Sequence, residues 1–180
     1  MKIPTFRLAL ALVATVTIGG LVAGHSYGLR WNKTASLPPG LYQVTAATPA
    51  EIERGSMVMF CPEQSEVQLE ARERGYLPWG FACPGGFAPL FKIAMAVPGD
   101  VVEATPAGIT INGQPVVNSS RLDADSLGRA LPPLPTSGEV PPGMVWLLSD
   151  YAPRSWDSRY FGPVPVDTVY GLARPVWTVE

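Results

Sequence analysis

Lys2 and Arg7 precede an uncharged run from Leu8 to Leu29, closed by Arg30, and this run decides how the rest of the chain is deployed. A helix needs about 20 apolar residues to cross a bilayer, and the run supplies them. Positive charge ahead of it keeps the N-terminus in the cytoplasm and sends the remainder of the chain to the other side. A cleaved signal peptide is the competing reading, because Val22 and Gly24 are small enough to precede a cut at His25. The length of the run favours a retained anchor, since an ordinary signal core spans about 7–15 residues. The expected division is a stub and transmembrane anchor over residues 1–30 and an extracytoplasmic domain over residues 31–180.

Beyond the anchor there is enough chain for one packed domain and too little for two. Eighteen glycines and 20 prolines, scattered without repeat, suit short strands joined by tight turns better than long helices. A mainly β, irregular antiparallel fold is expected. A net charge of -2, with no dense cluster of Lys and Arg, offers nothing to a phosphate backbone, so nucleic acid is excluded as a partner. Across the membrane, Cys61 and Cys83 lie in an oxidising compartment, where a bridge between them stabilises the fold by about 3 kcal/mol. A pair of free buried thiols is the alternative. The single histidine, His25, sits at the membrane boundary, so two cysteines have no partners for a metal site and no cofactor is implied.

Within the domain, Glu63 to Arg74 reads as a helix, with Pro62 suited to its first turn, Gly75 to its stop and Glu70–Arg74 as an i,i+4 pair. Flanked by the two cysteines, it is a small helical insertion. Phe91 to Val97 reads as a strand, and Asn112-Gly113 between two apolar stretches as a hairpin turn. Asn118 to Pro142 reads as a long surface loop, and Met144 to Leu148 as the next buried strand.

Chemistry enters with the lysines. After Lys2 and Lys33, Lys92 is the only one, and all other positive charge is carried by arginine. Strand alternation puts Lys92 on one face with Ala94 and Ala96. Burial there disfavours the ammonium and yields an amine that acts as a general base near neutral pH, a role arginine cannot fill. The bland alternative is a lysine whose stem covers apolar surface while its head reaches water. Ser36 stands just before Pro38-Pro39, which restrict the backbone behind it. With no histidine in reach, a Ser-Lys pair is the remaining route to a nucleophilic serine. Thr34 is placed to supply an oxyanion hydroxyl beside the Ser36 N–H. Read alone, Thr34 and Ser36 are equally turn formers. The loop after Leu148 adds Ser155, to orient the amine, and Asp157 and Arg159, to pair and brace the loop.

Taken together, these segments resemble the boxes of type I signal peptidases. A serine follows a membrane helix, Lys92 stands six residues before Pro98-Gly99-Asp100, and Ser155-Trp156-Asp157-Ser158-Arg159-Tyr160-Phe161-Gly162 closes the pattern. The Ser36-Leu37-Pro38-Pro39-Gly40-Leu41-Tyr42 stretch, with Ile93 after the lysine, is more similar to the TraF-type conjugative transfer peptidases. The resemblance implies Ser36 as nucleophile, Lys92 as base, Thr34 as the oxyanion hydroxyl, Ser155 as the lysine's partner, and Asp157, Ser158 and Arg159 as support. It also implies a bacterial inner-membrane serine endopeptidase facing the periplasm, acting on exported precursors or pilin subunits, in some systems with ring closure. Ala94 and Ala96 suggest pockets for small side chains. A general signal peptidase and a non-catalytic scaffold of a secretion or pilus complex remain as alternatives. A soluble self-cleaving regulator fits neither the anchor nor the lack of a DNA-binding segment.

Overall fold

The computed structural model describes residues 5–179 of the chain. Its first element, α1 (Thr5–Ser26), is long and apolar enough to cross a membrane and fits a single-pass anchor. None of the residues in its Ala9–Ser26 stretch is buried. After two intervening residues β1 (Leu29–Asn32) begins, so Leu29 and Arg30 already belong to a sheet, opposite Gln43 and Tyr42. The chain continues through β2 (Gly40–Thr45), β3 (Met57–Phe60), α2 (Glu66–Glu73), β4 (Trp79–Cys83), β5 (Leu90–Ala96), β6 (Val101–Thr105), β7 (Gly108–Ile111), β8 (Gln114–Pro115), β9 (Gly138–Glu139), β10 (Met144–Leu148), α3 (Ser158–Phe161), β11 (Val164–Pro165) and β12 (Val169–Thr178).

Two antiparallel sheets result: one of seven strands in the order β1-β2-β12-β3-β5-β10-β11, and one of four in the order β8-β7-β6-β9. The fold is mainly β, as composition led one to expect. The long C-terminal strand β12 holds the larger sheet together, pairing with β3 through Val169–Leu172 and with β2 through Leu172–Thr178. Register shifts near Gly171 and Pro175 bend it between these partners, and Pro175, lacking an N–H, sits where the ladder is already broken.

Strand β5 lies between β3 and β10 and is covered on both faces. Phe91 and Ile93 pack with Leu37, Tyr42, Val44 and Met59, while Ala94 packs with Val58, Phe60 and Leu147. Lys92 sits opposite Val58 in the ladder and is therefore drawn inside with its neighbours.

The hairpin forms as expected, with Asn112 and Gly113 both at positive φ (51° and 77°) between β7 and β8. The helix is shorter than expected. It starts at Glu66 because Ser65 caps it, accepting from the Gln68 N–H, which leaves Pro62 to Gln64 outside. The 118–142 segment is also less free than a surface loop. Gly138–Glu139 pairs with Val101–Val102, and buried Ser119 is hydrogen-bonded to Ile109 and Val116. Cys61 and Cys83 form a disulfide that closes α2 and β4 into one excursion.

Candidate active site

Ser36 lies on the turn between β1 and β2, and the reason this turn is rigid begins at Leu37. Its side chain is buried in the cluster around Tyr42 and Phe91, which pulls the backbone down immediately after the serine. Pro38 and Pro39 fix φ behind it, and the Tyr42 hydroxyl donates to the Pro38 carbonyl at 2.7 Å. Gly40 ends the turn at φ 154°, where an added Cβ would lie 2.1 Å from the Trp177 carbonyl oxygen. Only glycine fits there, which gives the Pro-x-Gly spacing a steric cause.

Lys92 is 1% exposed. Its Nζ donates to Ser36 Oγ at 2.5 Å and to Ser155 Oγ at 2.8 Å, and the two hydroxyl oxygens are 3.4 Å apart. Burial pushes the ammonium down from its ordinary 10.5 to about 8; the Asp157 carboxylate opposes the drop and the Arg159 guanidinium adds to it. A compact triangle of one amine and two hydroxyls is left, with the amine able to exist neutral near physiological pH.

The third vertex is held by a buried ion pair. Asp157 and Arg159 are both fully buried, joined by Nε to Oδ1 at 2.7 Å and by a second guanidinium bond to Oδ2 at 3.0 Å. The same guanidinium donates to the carbonyls of Asn118, Ser120, Pro153 and Ser149. Asp157 also accepts from the Ser149 N–H and caps α3. Ser158 Oγ accepts from the Leu147 N–H, tying α3 to β10. With every donor and acceptor of the pair used, the burial cost is offset and the loop bearing Ser155 is fixed to the strand beside Lys92.

Thr34 lines the cleft in front of Ser36, but its hydroxyl donates to Asn32 Oδ1 at 2.9 Å. The cleft, about 230 Å³, is walled by Tyr76, Leu77, Pro78, Leu90, Ala152 and Trp156. Ala94 and Ala96 are fully buried in cores and do not line it, so they say nothing about which side chains the cleft accepts. Strand alternation put them on the lysine's face, but Ala94 packs into the cluster with Val58, Phe60 and Leu147 and Ala96 into that with Val102, Ile109 and Trp146.

Two contributors escaped the sequence. Asn32, 2% exposed, grips the serine turn with its amide, and Gln68 on α2 accepts from the Trp156 indole at 3.0 Å, joining the insertion to the cleft wall. Neither residue type stands out in a polar loop or helix. No cluster of His, Cys, Asp and Glu able to hold a metal occurs among the described residues.

The family model for signal peptidase, peptidase S26, matches residues 3–178. The conjugal transfer protein TraF of Agrobacterium fabrum is 43% identical over 171 residues, covering 95% of this chain and 94% of that one. A plasmid transfer protein TraF of Escherichia coli is 41% identical over 174 residues, covering 93% and 96%. A probable conjugal transfer protein TraF of Sinorhizobium fredii is 39% identical over 172 residues, covering 95% and 88%. With the family pattern running through the anchor and both sheets, the chain belongs to the signal peptidase family, peptidase S26.

Proposed function

We propose that the chain is a membrane-anchored serine endopeptidase in which Ser36 is the nucleophile and Lys92 its base. The observation that carries this is the buried Lys92 amine, 2.5 Å from Ser36 Oγ and depressed in pKa by burial. The neutral amine takes the Ser36 proton as Oγ bonds to the scissile carbonyl carbon. The oxyanion is met by the Ser36 N–H and the Thr34 hydroxyl. As the C–N bond breaks, the Lys92 ammonium returns the proton to the leaving amine, and an ester to Ser36 remains. Water activated by the same amine, or a substrate amine in its place, then resolves the ester. Ser155 holds Nζ on its line to Ser36, and the Asp157–Arg159 pair and Ser158 support the loop that carries it.

The anchor supports a substrate that arrives at the membrane, with the domain on the periplasmic side of a bacterial inner membrane. The transfer proteins to which the chain is similar support conjugative pilin processing as the physiological task. Substituting Ser36→Ala and, separately, Lys92→Ala tests the reading. Mass spectrometry of the pilin precursor in cells carrying each variant should find the unprocessed form accumulating in both. A scaffold would keep its function in both variants, and mature pilin in either would sink the proposal. The same spectra distinguish a linear product from a ring by the mass of one water.

A further inference from the structure

Asn32 is the last residue of β1, paired with Gly40 at the first position of β2, and its side chain is hydrogen-bonded to the loop that carries Ser36. Its amide is saturated. Oδ1 accepts from the Thr34 N–H at 3.1 Å and from the Thr34 hydroxyl at 2.9 Å, while Nδ2 donates to the carbonyls of Leu37 at 3.0 Å and Pro38 at 3.4 Å. The two carbonyls accept only, which fixes which end of the amide faces Thr34. An aspartate has no donor for those carbonyls, and a serine or threonine reaches fewer of the four groups.

Thr34 has a single hydroxyl proton, and in this structure Asn32 holds it. The hydroxyl facing the cleft is therefore not free to donate to a substrate oxygen. To serve as an oxyanion donor it must turn its proton away from one acceptor and toward another. A neutral substrate carbonyl is no better an acceptor than the Asn32 amide oxygen, whereas a developing oxyanion forms a bond roughly twice as strong. The exchange is thus favoured as charge builds and not when substrate merely binds, which is the condition for an interaction that raises kcat.

We propose that Asn32 is a positioning residue acting through Thr34. It holds Oγ1 in place at the cleft, engages its proton in the resting protein, and releases it to the oxyanion. Resting on the peptidase reading, the proposal adds to it that the Thr34 contribution depends on Asn32. Both effects fall on kcat.

The test is a double-mutant cycle on the full-length protein in detergent, using a fluorogenic peptide that spans the cleavage site. Asn32→Ala and Thr34→Val are each expected to lower kcat about 10- to 100-fold, with KM within about threefold, well below the melting temperature of each variant. The double variant should be no slower than the poorer single, because both remove one linked device. Losses that multiply would overturn the proposal. So would an Asn32→Ala protein that melts earlier yet keeps its kcat, the signature of a merely structural role. Should Asn32→Ala fail to fold, Asn32→Ser takes its place in the cycle, and an unchanged kcat in Thr34→Val leaves Asn32 nothing to act through. Ser36→Ala run alongside separates the two levels. Activity surviving in it removes the peptidase reading, whereas activity lost in it but retained in Thr34→Val removes only the role of Asn32.

Discussion

Lys92 is the one lysine downstream of Lys33, and its environment gives the chain an acid–base signature that can be measured. Its folded-state value near 8 lies below the ordinary 10.5. Between those limits the unfolded chain keeps a proton that the folded protein has released. Stability therefore rises as pH climbs through the window and is complete above it, and below 8 the folded protein carries a buried ammonium costing about 3 kcal/mol. The wild-type kcat/KM should rise with pH to a plateau with a midpoint near 8, while Lys92→Met should be inactive throughout. At pH 6 the Met variant should be more stable to urea by about 1–2 kcal/mol, because a neutral side chain of similar size replaces a desolvated charge. The gain should vanish near pH 10; a variant less stable at pH 6 would show that Lys92 is not held against its own solvation. Lys92 was legible in the sequence because selective lysine usage and strand alternation both point to it. Asn32 was not, because an asparagine in a polar turn looks like a turn former until its bonds to Thr34 and Leu37 show where it aims.

Among the elements, the excursion between Cys61 and Cys83 is the part whose purpose the fold explains. Cysteine spacing and the Glu70–Arg74 pair announced a pinned helical insertion; what they did not announce is that it forms a wall of the cleft. Tyr76, Leu77 and Pro78 line that wall, the Tyr76 ring lies 5.2 Å from that of Trp156, and Gln68 binds the Trp156 indole. Such contacts join segments distant in sequence, so no local pattern reveals them. Ser36 and Lys92 lie outside the closed excursion. Replacing both cysteines with alanine should therefore cost about 3 kcal/mol of stability, given the 22-residue separation of the pair. It should also raise KM several-fold with kcat changed less than about threefold, read from urea unfolding and steady-state kinetics below the melting temperature. A loss confined to kcat would mean that the excursion governs the serine and lysine and not the cleft wall.

At the scale of the whole molecule, short strands and turns could be read from the sequence, but their order could not. The C-terminal β12 lies between β2 and β3 because its residues pair with strands more than a hundred positions earlier, and the bulges that let it serve both leave no periodic trace. The same arrangement sets the site close behind the apolar helix. Ser36 follows the end of α1 by ten residues, which span at most roughly 35 Å even fully extended, and β1 begins folding at once. Exposed Tyr27 follows α1 directly, exposed Trp31 and Trp177 pair across the sheet with their indoles 5.8 Å apart, and aromatic residues of this kind favour the interface between bilayer and water. On the proposed reading, an anchored α1 keeps the cleft in the layer where an exported precursor would emerge, replacing a search through solution by a high local concentration. Because no residue of the Ala9–Ser26 stretch of α1 is buried, removing residues 1–27 should leave a folded domain that cleaves a soluble peptide with kcat/KM within about fivefold of the full chain. Processing of a precursor embedded in vesicles should fall at least tenfold. Equal processing of both substrates by the truncated protein would show that the helix contributes nothing to encounter, and failure to fold would show that it supports the sheet.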